Sequence, residues 1–304
     1  MRKIKSAKYT KRVSKPELTA VIPVANMAGK LLNLESLLRK CILIGIEVVI
    51  VHDEQDSDTG NEIEEIVKSV DSGLVSIITR SVYSPGKARN LGIEKAQGDW
   101  ICFWDSDDNP LPEVFMLMVR QAELLGHAIA VGKFRKIDGN EIEIYGTNET
   151  EVGRMPGIWR FAFKRESFGN LTFPGYRMGE DQVLLTKITI PHSDFFQFNE
   201  IVYEYVCSGI GQLTKNKKAI LELNDAIEEM LLRISHSTIT NRIHLIFLSR
   251  QILTMFKHGS LTMRFTLVKL LYKAFKVSGK KFWLIFPTEL AISLKNQFKF
   301  GGKH

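Results

Sequence analysis

The sequence is poor in cysteine and lacks any long uninterrupted apolar run. Its three cysteines, Cys41, Cys102 and Cys207, are too few and too scattered for a disulfide framework or a cysteine-based zinc site. No run reaches the roughly 18 to 20 apolar residues that a transmembrane helix needs, because Pro287 and Glu289 interrupt the most apolar candidate. The basic N-terminal residues are not followed by the apolar segment of a secretion signal. These absences predict a protein of a reducing, cytoplasmic compartment.

Acidic residues are almost missing from both ends of the chain, although the net charge is only +7. Residues 1–15 carry seven basic residues and no acidic residue, and residues 251–304 carry ten basic residues and one acidic residue. The intervening residues 16–250 carry 24 basic and 33 acidic residues, so the body of the chain is acidic. Only the ends therefore predict an anionic partner.

Strand and helix patterns alternate through the first half of the chain. Short runs rich in valine and isoleucine, bounded by turn residues, predict strands at 18–24, 46–52, 74–80 and 99–104. Apolar residues recur at helical spacing between these runs. This alternation predicts a parallel sheet with both faces covered. An Asp138-Gly139 turn predicts a further hairpin within residues 127–146, whereas residues 147–180 fit no simple pattern.

The pattern changes near residue 216 to four helical runs without strands. These runs predict helices at about 221–234, 243–256, 263–277 and 280–298. The predicted organisation is a basic tail (1–16), an α/β domain (17–215) and a basic helical region (216–304). Lysines alternate with large apolar residues in the last two helices. Two interpretations remain open: these helices lie on an anionic membrane surface, or they pack on the α/β domain with a solvated basic face. A nucleic-acid partner is not expected, because no recognised motif accompanies the charge.

The fourth predicted strand ends abruptly in three carboxylates, Asp105, Asp107 and Asp108. Because side chains alternate along an extended backbone, Asp105 and Asp107 are predicted to point the same way. They lie at the carboxyl end of a buried strand, where open α/β sheets bind ligands, and carboxylates of this kind suit Mg²⁺ or Mn²⁺ together with phosphate oxygens. The alternative is a turn that caps the helix beginning near Leu111. Of the three carboxylates, Asp108 is the one for which we favour the capping function.

Four motifs around these carboxylates occur in a characteristic order. They are Leu18 to Val24, Glu47 to Asp53, Gly86-Lys-Ala-Arg89-Asn90 followed by Asp105-Ser-Asp107-Asp108, and Gly179-Glu180-Asp181. In this order and spacing, over about residues 17–215, the sequence resembles the family 2 glycosyltransferases of the GT-A fold. The resemblance implies a Rossmann-like, mostly parallel central sheet with the helical region as a C-terminal extension. It also implies inverting, metal-dependent transfer of a sugar from a nucleoside-diphosphate sugar to a glycan or lipid-linked acceptor, of the bacterial surface-polysaccharide type.

The resemblance assigns a donor site to residues at the strand ends. Asp53 would recognise uracil or ribose, and Asp107 would bind the Mn²⁺ or Mg²⁺ that bridges the two phosphates. Asp105 would contact the ribose, or the metal through water. The other predicted donor-binding residues are Pro23, Gly86 and Arg89. From the residues alone, Asp53 could be a turn residue, and Gly86 to Asn90 could form a glycine-permitted turn with solvated basic residues.

The resemblance makes Asp181 the general base, with Glu180 binding the acceptor or orienting the loop. From the residues alone, the two acidic side chains could simply favour the start of a helix. Trp159 and Tyr176 are candidates for stacking on the acceptor sugar, although core packing explains most aromatic clusters of this kind. The Gln-x-x-Arg-Trp motif of processive synthases is missing after Asp181, which predicts one sugar transferred per encounter.

Two other functions use the same features less well. A nucleotidyltransferase that forms sugar nucleotides would need a glycine-rich basic loop after the first strand, and residues 24–30 do not supply a good one. A basic binding module without enzyme activity would have no use for Asp107 and Asp181. The resemblance favours a UDP-linked donor, because members of the family commonly use one. The predicted location is the cytoplasm, and peripheral attachment to the inner face of the cell membrane follows from one of the two interpretations of the basic helices.

Overall fold

The computed structural model describes residues 15–169, 172–188, 191–207, 217–236, 242–258 and 261–300. The basic tail up to residue 14 and the predicted boundary at 215/216 lie outside these residues. Within the described chain, nine strands form one mixed sheet. The strands are β1 (Leu18–Val24), β2 (Glu47–Asp53), β3 (Val75–Arg80), β4 (Trp100–Phe103), β5 (Asn109–Pro110), β6 (Ile129–Asp138), β7 (Glu141–Tyr145), β8 (Phe161–Lys164) and β9 (Phe196–Val206).

The strand order is β3-β2-β1-β4-β8-β6-β9-β5, with β7 paired to β6. The first four strands of this order are parallel, so their carboxyl ends lie along one edge of the sheet. From β4 the sheet continues through two antiparallel pairs, and β9 then returns parallel to β6. The four strands predicted from the valine- and isoleucine-rich runs are confirmed to within one residue, and the predicted hairpin is the β6–β7 pair.

Helices cover both faces of the sheet. Those in the described chain are α1 (Leu34–Ile44), α2 (Ser57–Val70), α3 (Pro85–Lys95), α4 (Pro112–Leu124), α5 (Glu149–Arg154), α6 (Arg165–Phe168), α7 (Glu180–Thr186), α8 (Lys217–His236), α9 (Arg242–His258), α10 (Leu261–Ser278) and α11 (Lys280–Phe300). The helix boundaries follow local chemistry. The Asp56 carboxylate caps α2 and the Ser84 hydroxyl caps α3, while α1 ends at Gly45 in the left-handed conformation that glycine favours.

Alternate residues of the central strands belong to two separate hydrophobic layers. Val21 and Phe103 face the layer that includes α3 and the C-terminal helices, whereas Ile22 and Cys102 face the layer formed with α1 and α4. All of them are fully buried, as expected for strands covered on both faces. Cys102 is therefore an ordinary core residue, as is Cys41 on α1.

The four predicted C-terminal helices are present as α8 to α11. Their inner faces belong to the same hydrophobic cluster as the central strands, through buried residues such as Leu223, Phe247 and Phe282. The helical region is thus an extension of the core, and its inner faces do pack on the α/β layers. Among the described helices, none has the length and apolar character of a membrane span.

Candidate active site

Three of the predicted donor-binding residues lie at neighbouring positions on the carboxyl edge of the sheet. Asp53 ends β2, Pro23 lies near the end of β1, and Asp105 follows β4. Because β1 is hydrogen-bonded to both β2 and β4, Pro23 lies between the two carboxylates. The structure therefore brings these three residues together at the edge where parallel α/β sheets bind their ligands.

Asp53 is oriented by backbone groups. Its carboxylate accepts the N–H of Tyr83 at 3.1 Å and that of Gln55 at 3.4 Å. Tyr83 has a positive φ of 55°, and its hydroxyl accepts the side-chain amide of Gln55 at 2.9 Å. These contacts fix Asp53 at the edge of an open surface on which the Tyr83 ring is more than half exposed. Sequence reasoning did not find Tyr83 or Gln55.

The turn that carries Asp105 is tied to β9. The Tyr203 hydroxyl accepts the N–H of Asp105 at 3.0 Å and donates to the carboxylate of Asp108, also at 3.0 Å. Asp108 accepts a second hydrogen bond from the N–H of Val206 at 2.8 Å. Asp108 is buried, and its two hydrogen bonds tie the turn to β9. The prediction that Asp108 caps α4 is wrong, because α4 begins at Pro112, its N-cap residue is Leu111, and no side chain caps it.

Asp107 lies on the exposed side of this turn. Partial burial and the negative charge of Asp105 raise the pKa of Asp107, and Lys30 opposes that effect in part. Within the described residues no cluster of three or more histidine, cysteine, aspartate or glutamate side chains could hold a metal. Two neighbouring carboxylates with unfavourable mutual repulsion still fit a Mg²⁺ or Mn²⁺ ion that takes its other ligands from phosphate and water.

Arg89 connects the predicted donor edge to residues 172–179, which lead to the predicted general base and are called the catalytic loop for that prediction. Its guanidinium is buried and lies 3.0 Å from the carboxylate of Asp105 and 2.7 Å from that of Glu180. The two carboxylates raise the pKa of Arg89 against the effect of burial, so the guanidinium stays charged. The Arg89 side chain also lies over the Phe173 ring, 5.5 Å from its centroid. One side chain thus fixes the relative position of two motifs far apart in the sequence.

Helix α3 supports the same loop with two further residues. Asn90 exchanges two hydrogen bonds with the backbone of Phe173, at 2.8 and 2.9 Å. A Cβ atom at Gly86 would lie 2.3 Å from the carbonyl oxygen of Pro174, so only glycine permits this close approach. Gly86 therefore has a packing function in the described chain, and its predicted contact with the donor stays a prediction.

The catalytic loop ends at Gly179, whose φ of 86° lies in the left-handed region and turns the chain into α7. Glu180 and Asp181 are the first two residues of α7. Burial, and then the charge of Glu180, raise the pKa of Asp181 to about 7. Burial also raises the pKa of Glu180, although Arg89 acts in the opposite direction. A carboxylate with a pKa near 7 suits general base catalysis at neutral pH.

Helix α8 holds the catalytic loop from the C-terminal side. Glu222 accepts the backbone N–H of Arg177 at 2.6 Å and its guanidinium at 2.7 Å. The hydroxyl of Tyr176 donates to Glu229 at 3.1 Å. Burial, and then this hydrogen bond, raise the pKa of Tyr176 to about 12. These α8 residues were not found by sequence reasoning. The predicted acceptor contact of Tyr176 stays a prediction, but its hydroxyl already has a partner.

Trp159 is packed inside the protein. Its indole stacks on Tyr203 and Tyr205, with centroid distances of 4.5 and 5.6 Å, and meets the Phe134 ring edge to face at 4.6 Å. Only 7% of its surface is exposed. The predicted stacking of Trp159 on an acceptor sugar therefore has no support in the structure, and the residue stabilises the aromatic layer behind the Asp105 turn.

Comparison with known families agrees with this arrangement. The sequence model described as "Glycosyl transferase family 2" matches residues 19–199, which is more than half of the chain. The chain belongs to glycosyl transferase family 2. Family 2 membership confirms the resemblance carried by the four sequence motifs, and the matched range includes every predicted site residue.

Curated relatives match part of the chain. The succinoglycan biosynthesis protein ExoO of Rhizobium meliloti (strain 1021) is 30% identical over 152 residues, which are 49% of this family 2 chain. The matches span 42% of ExoO and 56% of a second curated relative, so the chain covers only about half of their length.

Two solved structures share the fold. The crystal structure of S. aureus TarS 1–349 with UDP-GlcNAc superposes over 94% of this chain and 92% of that one, with a TM-score of 0.71 and 14% identity. The mannosyltransferase PcManGT from Pyrobaculum calidifontis, in complex with GDP-Man and Mn²⁺, covers 95% and 88% with a TM-score of 0.55 and 15% identity. At these identities the likeness concerns the fold, and it confirms the predicted GT-A architecture with its helical C-terminal region.

Proposed function

We propose that the chain transfers one sugar per encounter, with inversion at the anomeric carbon, from a nucleoside-diphosphate sugar to an acceptor hydroxyl. The donor is UDP-linked, and the acceptor is a glycan or lipid-linked precursor of a surface polysaccharide. Family membership supports the reaction class. The proposal assigns donor binding to the edge of the sheet and proton removal to the loop that begins α7.

The observation that carries this proposal is the buried bridge through Arg89. The guanidinium binds Asp105 on the donor side and Glu180 beside the proposed base. A single displacement needs the leaving group and the attacking hydroxyl on opposite sides of one carbon, so the two groups of residues must be held at a fixed separation. A buried, charged side chain bonded to both groups meets that requirement.

On the donor side, Asp53 binds the nucleoside beside Pro23. Asp107, with Asp105 directly or through water, would hold Mn²⁺ or Mg²⁺. When bound, such an ion neutralises negative charge on the departing diphosphate. PcManGT was solved with GDP-Man and Mn²⁺, which supports a divalent ion in this fold.

On the acceptor side, Asp181 takes the proton of the attacking hydroxyl. The acceptor oxygen forms a bond to the anomeric carbon while the bond from that carbon to the diphosphate oxygen breaks, and the nucleoside diphosphate leaves with the electron pair. Glu180 stays paired with Arg89 and orients the loop. The raised pKa of Asp181, about 7, supports this assignment because an ordinary aspartate is a much weaker base.

The comparisons support the finer parts of the proposal to different degrees. TarS was solved with UDP-GlcNAc, which favours a UDP-linked donor. ExoO is named a succinoglycan biosynthesis protein, which favours a polysaccharide product. We assign donor and catalytic functions to residues 17–215 and a supporting function to residues 216–304, and we place the enzyme at the cytoplasmic face of a membrane that carries the acceptor.

The test is a panel of UDP- and GDP-sugars incubated with the chain, with water as the default acceptor and release of nucleoside diphosphate as the readout. We expect release from a UDP-sugar, loss of release with a chelator and recovery with Mn²⁺ or Mg²⁺. With an accepted hydroxyl compound, nuclear magnetic resonance should give the inverted anomer.

Three outcomes would contradict parts of this proposal. Retained anomeric configuration would exclude the single displacement. Release that is indifferent to chelation would exclude the metal. Formation of a sugar nucleotide and pyrophosphate from a nucleoside triphosphate and a sugar phosphate, with no nucleoside diphosphate, would identify a nucleotidyltransferase.

A further inference from the structure

The corner between α10 and α11 exposes large apolar side chains to solvent. Tyr272 and Phe275 on α10 are 57% and 41% exposed, and Trp283 and Leu284 on α11 are 49% and 77% exposed. The Phe275 and Trp283 ring centroids lie 6.1 Å apart, so the two helices contribute to one continuous patch. We call these four residues the aromatic corner. A continuous exposed patch of this kind marks an interaction surface.

Positive charge surrounds the aromatic corner. Lys269, Lys276, Lys280 and Lys281 are exposed on the same two helices, and the Lys276 ammonium lies 5.2 Å from the centroid of the Tyr272 ring. Only one acidic residue, Glu289, occurs between residues 266 and 295. It is buried and paired with arginines of α5 and α9, so the described outer faces of α10 and α11 carry lysines without a carboxylate of their own.

The same helices are firmly attached by their inner faces. Leu270 and Ala274 of α10 and Phe282 of α11 are fully buried in the main hydrophobic cluster. The aromatic corner is thus presented by a folded scaffold, and a partner can dock there without rearrangement of the core. Tyrosine and tryptophan favour the interface between water and lipid, and exposed lysines favour anionic headgroups.

We propose that the aromatic corner and its lysines dock the enzyme on an anionic lipid bilayer. The aromatic rings insert at headgroup depth while the lysines bind lipid phosphates. This proposal rests on the membrane location assigned under the proposed function and names the surface that would make the contact. Because lipid binding is measured without a sugar donor, the lipid proposal and the transferase proposal can each fail without the other. A bilayer is favoured over a second protein copy because a copy of the same corner would bring lysines against lysines.

The four tryptophans allow a direct test. Trp100, Trp104 and Trp159 are buried, and Trp283 is the one that is half exposed. The full chain is mixed with vesicles of phosphatidylcholine alone or with phosphatidylglycerol, and tryptophan emission and sedimentation are measured. We expect a blue shift and co-sedimentation only with phosphatidylglycerol, and both should reverse in about 0.5 M salt, where charges are strongly screened. The Trp283→Phe variant should lose the shift and still sediment.

Matched variants separate this surface from the basic tail. The triple variant Lys276→Gln, Lys280→Gln and Lys281→Gln should bind at least about tenfold more weakly. A control triple on α1, α2 and α3 removes the same charge and should bind like the wild type. Its substitutions are Lys40→Gln, Lys68→Gln and Lys95→Gln. Thermal unfolding confirms that both variants are folded.

The remaining outcomes would overturn the proposal. The proposal is wrong if the protein binds neutral and anionic vesicles equally, or if it stays in the supernatant with anionic vesicles at low salt. It is also wrong if both triple variants lose the same affinity for vesicles, or if the variant at Lys276, Lys280 and Lys281 binds like the wild type. Self-association that shields Trp283 without lipid, detected by light scattering, would identify a second copy as the occupant.

Discussion

The guanidinium of Arg89 lies 2.7 Å from the carboxylate of Glu180, although 91 positions separate the two residues. Both side chains are almost fully buried. Removing one partner of such a buried ion pair destabilises a protein, because the other charge is left buried without compensation. The main consequence of the pair here is geometric, because it fixes the start of α7, which carries Asp181, against the turn carrying Asp105.

The Arg89→Met variant should unfold at a lower temperature. Removing the cation leaves Glu180 buried without its partner, which costs about 3 kcal/mol in comparable cases. The double variant Arg89→Met with Glu180→Gln should recover part of this loss, because the remaining buried group is neutral. Neither variant should transfer sugar at an appreciable rate. Chemical denaturation and donor turnover measure the two effects, and a double variant no more stable than the single one would contradict the pairing.

Asp181→Asn keeps the shape of the side chain and removes its basicity. Donor binding should survive, and transfer should fall by roughly 100-fold or more, the usual scale for a positioned general base. Calorimetry with the nucleotide sugar, beside the transfer rate, separates the two. Equal losses of affinity and rate would indicate a structural function for Asp181.

The raised pKa of Asp181 also predicts how rate and stability depend on pH. The rate should rise with pH and level off above about 7, where the base is ionised. Between its ordinary value of 3.8 and about 7, the folded state keeps a proton that the unfolded state has lost, so stability falls as the pH rises through this range. The melting temperature of Asp181→Asn should therefore exceed that of the wild type at pH 8, and by much less at pH 5. An equal difference at both values would show that Asp181 has an ordinary pKa.

Asp107→Ala should abolish the stimulation of transfer by Mn²⁺ or Mg²⁺ without unfolding the protein. Asp107 is exposed, so its removal costs little packing, while the diphosphate loses the carboxylate that would share its cation. Rates across a metal titration, with circular dichroism as the folding control, give the result. A variant that transfers sugar at the wild-type rate would disprove the metal assignment.

Glu222→Ala tests whether α8 positions the catalytic loop. The substitution removes the acceptor of all three Arg177 hydrogen bonds to Glu222, so the loop that leads to Asp181 becomes less well oriented. We expect the kcat to fall about tenfold with little change in the donor KM, as is typical of lost orientation.

Glu228→Ala is the matched control on the same helix. Glu228 pairs with Lys273 of α10 and makes no described hydrogen bond to the catalytic loop. This variant should keep the wild-type kcat at a similar melting temperature. If both variants lose activity to the same extent, α8 contributes stability alone.

Much of the fold could be predicted because its signals are local. The apolar runs that form β1 to β4, and the helical runs that form α8 to α11, are continuous in sequence, so local composition located the strands and periodicity located the helices. The segment 147–180 could not be assigned. Its short elements, α5, β8 and α6, depend on partners distant in the chain, such as the pairing of β8 between β4 and β6.

The sequence motifs pointed to candidate carboxylates, but they did not reveal the residues that hold these carboxylates in place. Asp53, Asp105 and Asp181 occur in recognisable motifs. Tyr203 and Glu222 do not, because each acts through a contact with a residue remote in sequence. The sequence did contain one indication about Asp108. A third carboxylate beside two others raises the electrostatic free energy unless a hydrogen-bond donor binds it. The donors are on β9, and they become visible only in the folded structure.

The hydrophobic cluster shared by the central strands and α8 to α11 has a practical consequence for dissecting the protein. The family match ends at residue 199, which invites a shortened chain cut just beyond it. Such a fragment would retain every motif by which the family is recognised. It would also expose the apolar surfaces of α5 and α7 that the helices cover, and Arg177 would lose Glu222. The range matched by the family model is therefore shorter than the part of the chain that shares one hydrophobic core. An inactive fragment of that range would not be evidence against the enzyme activity of the whole chain.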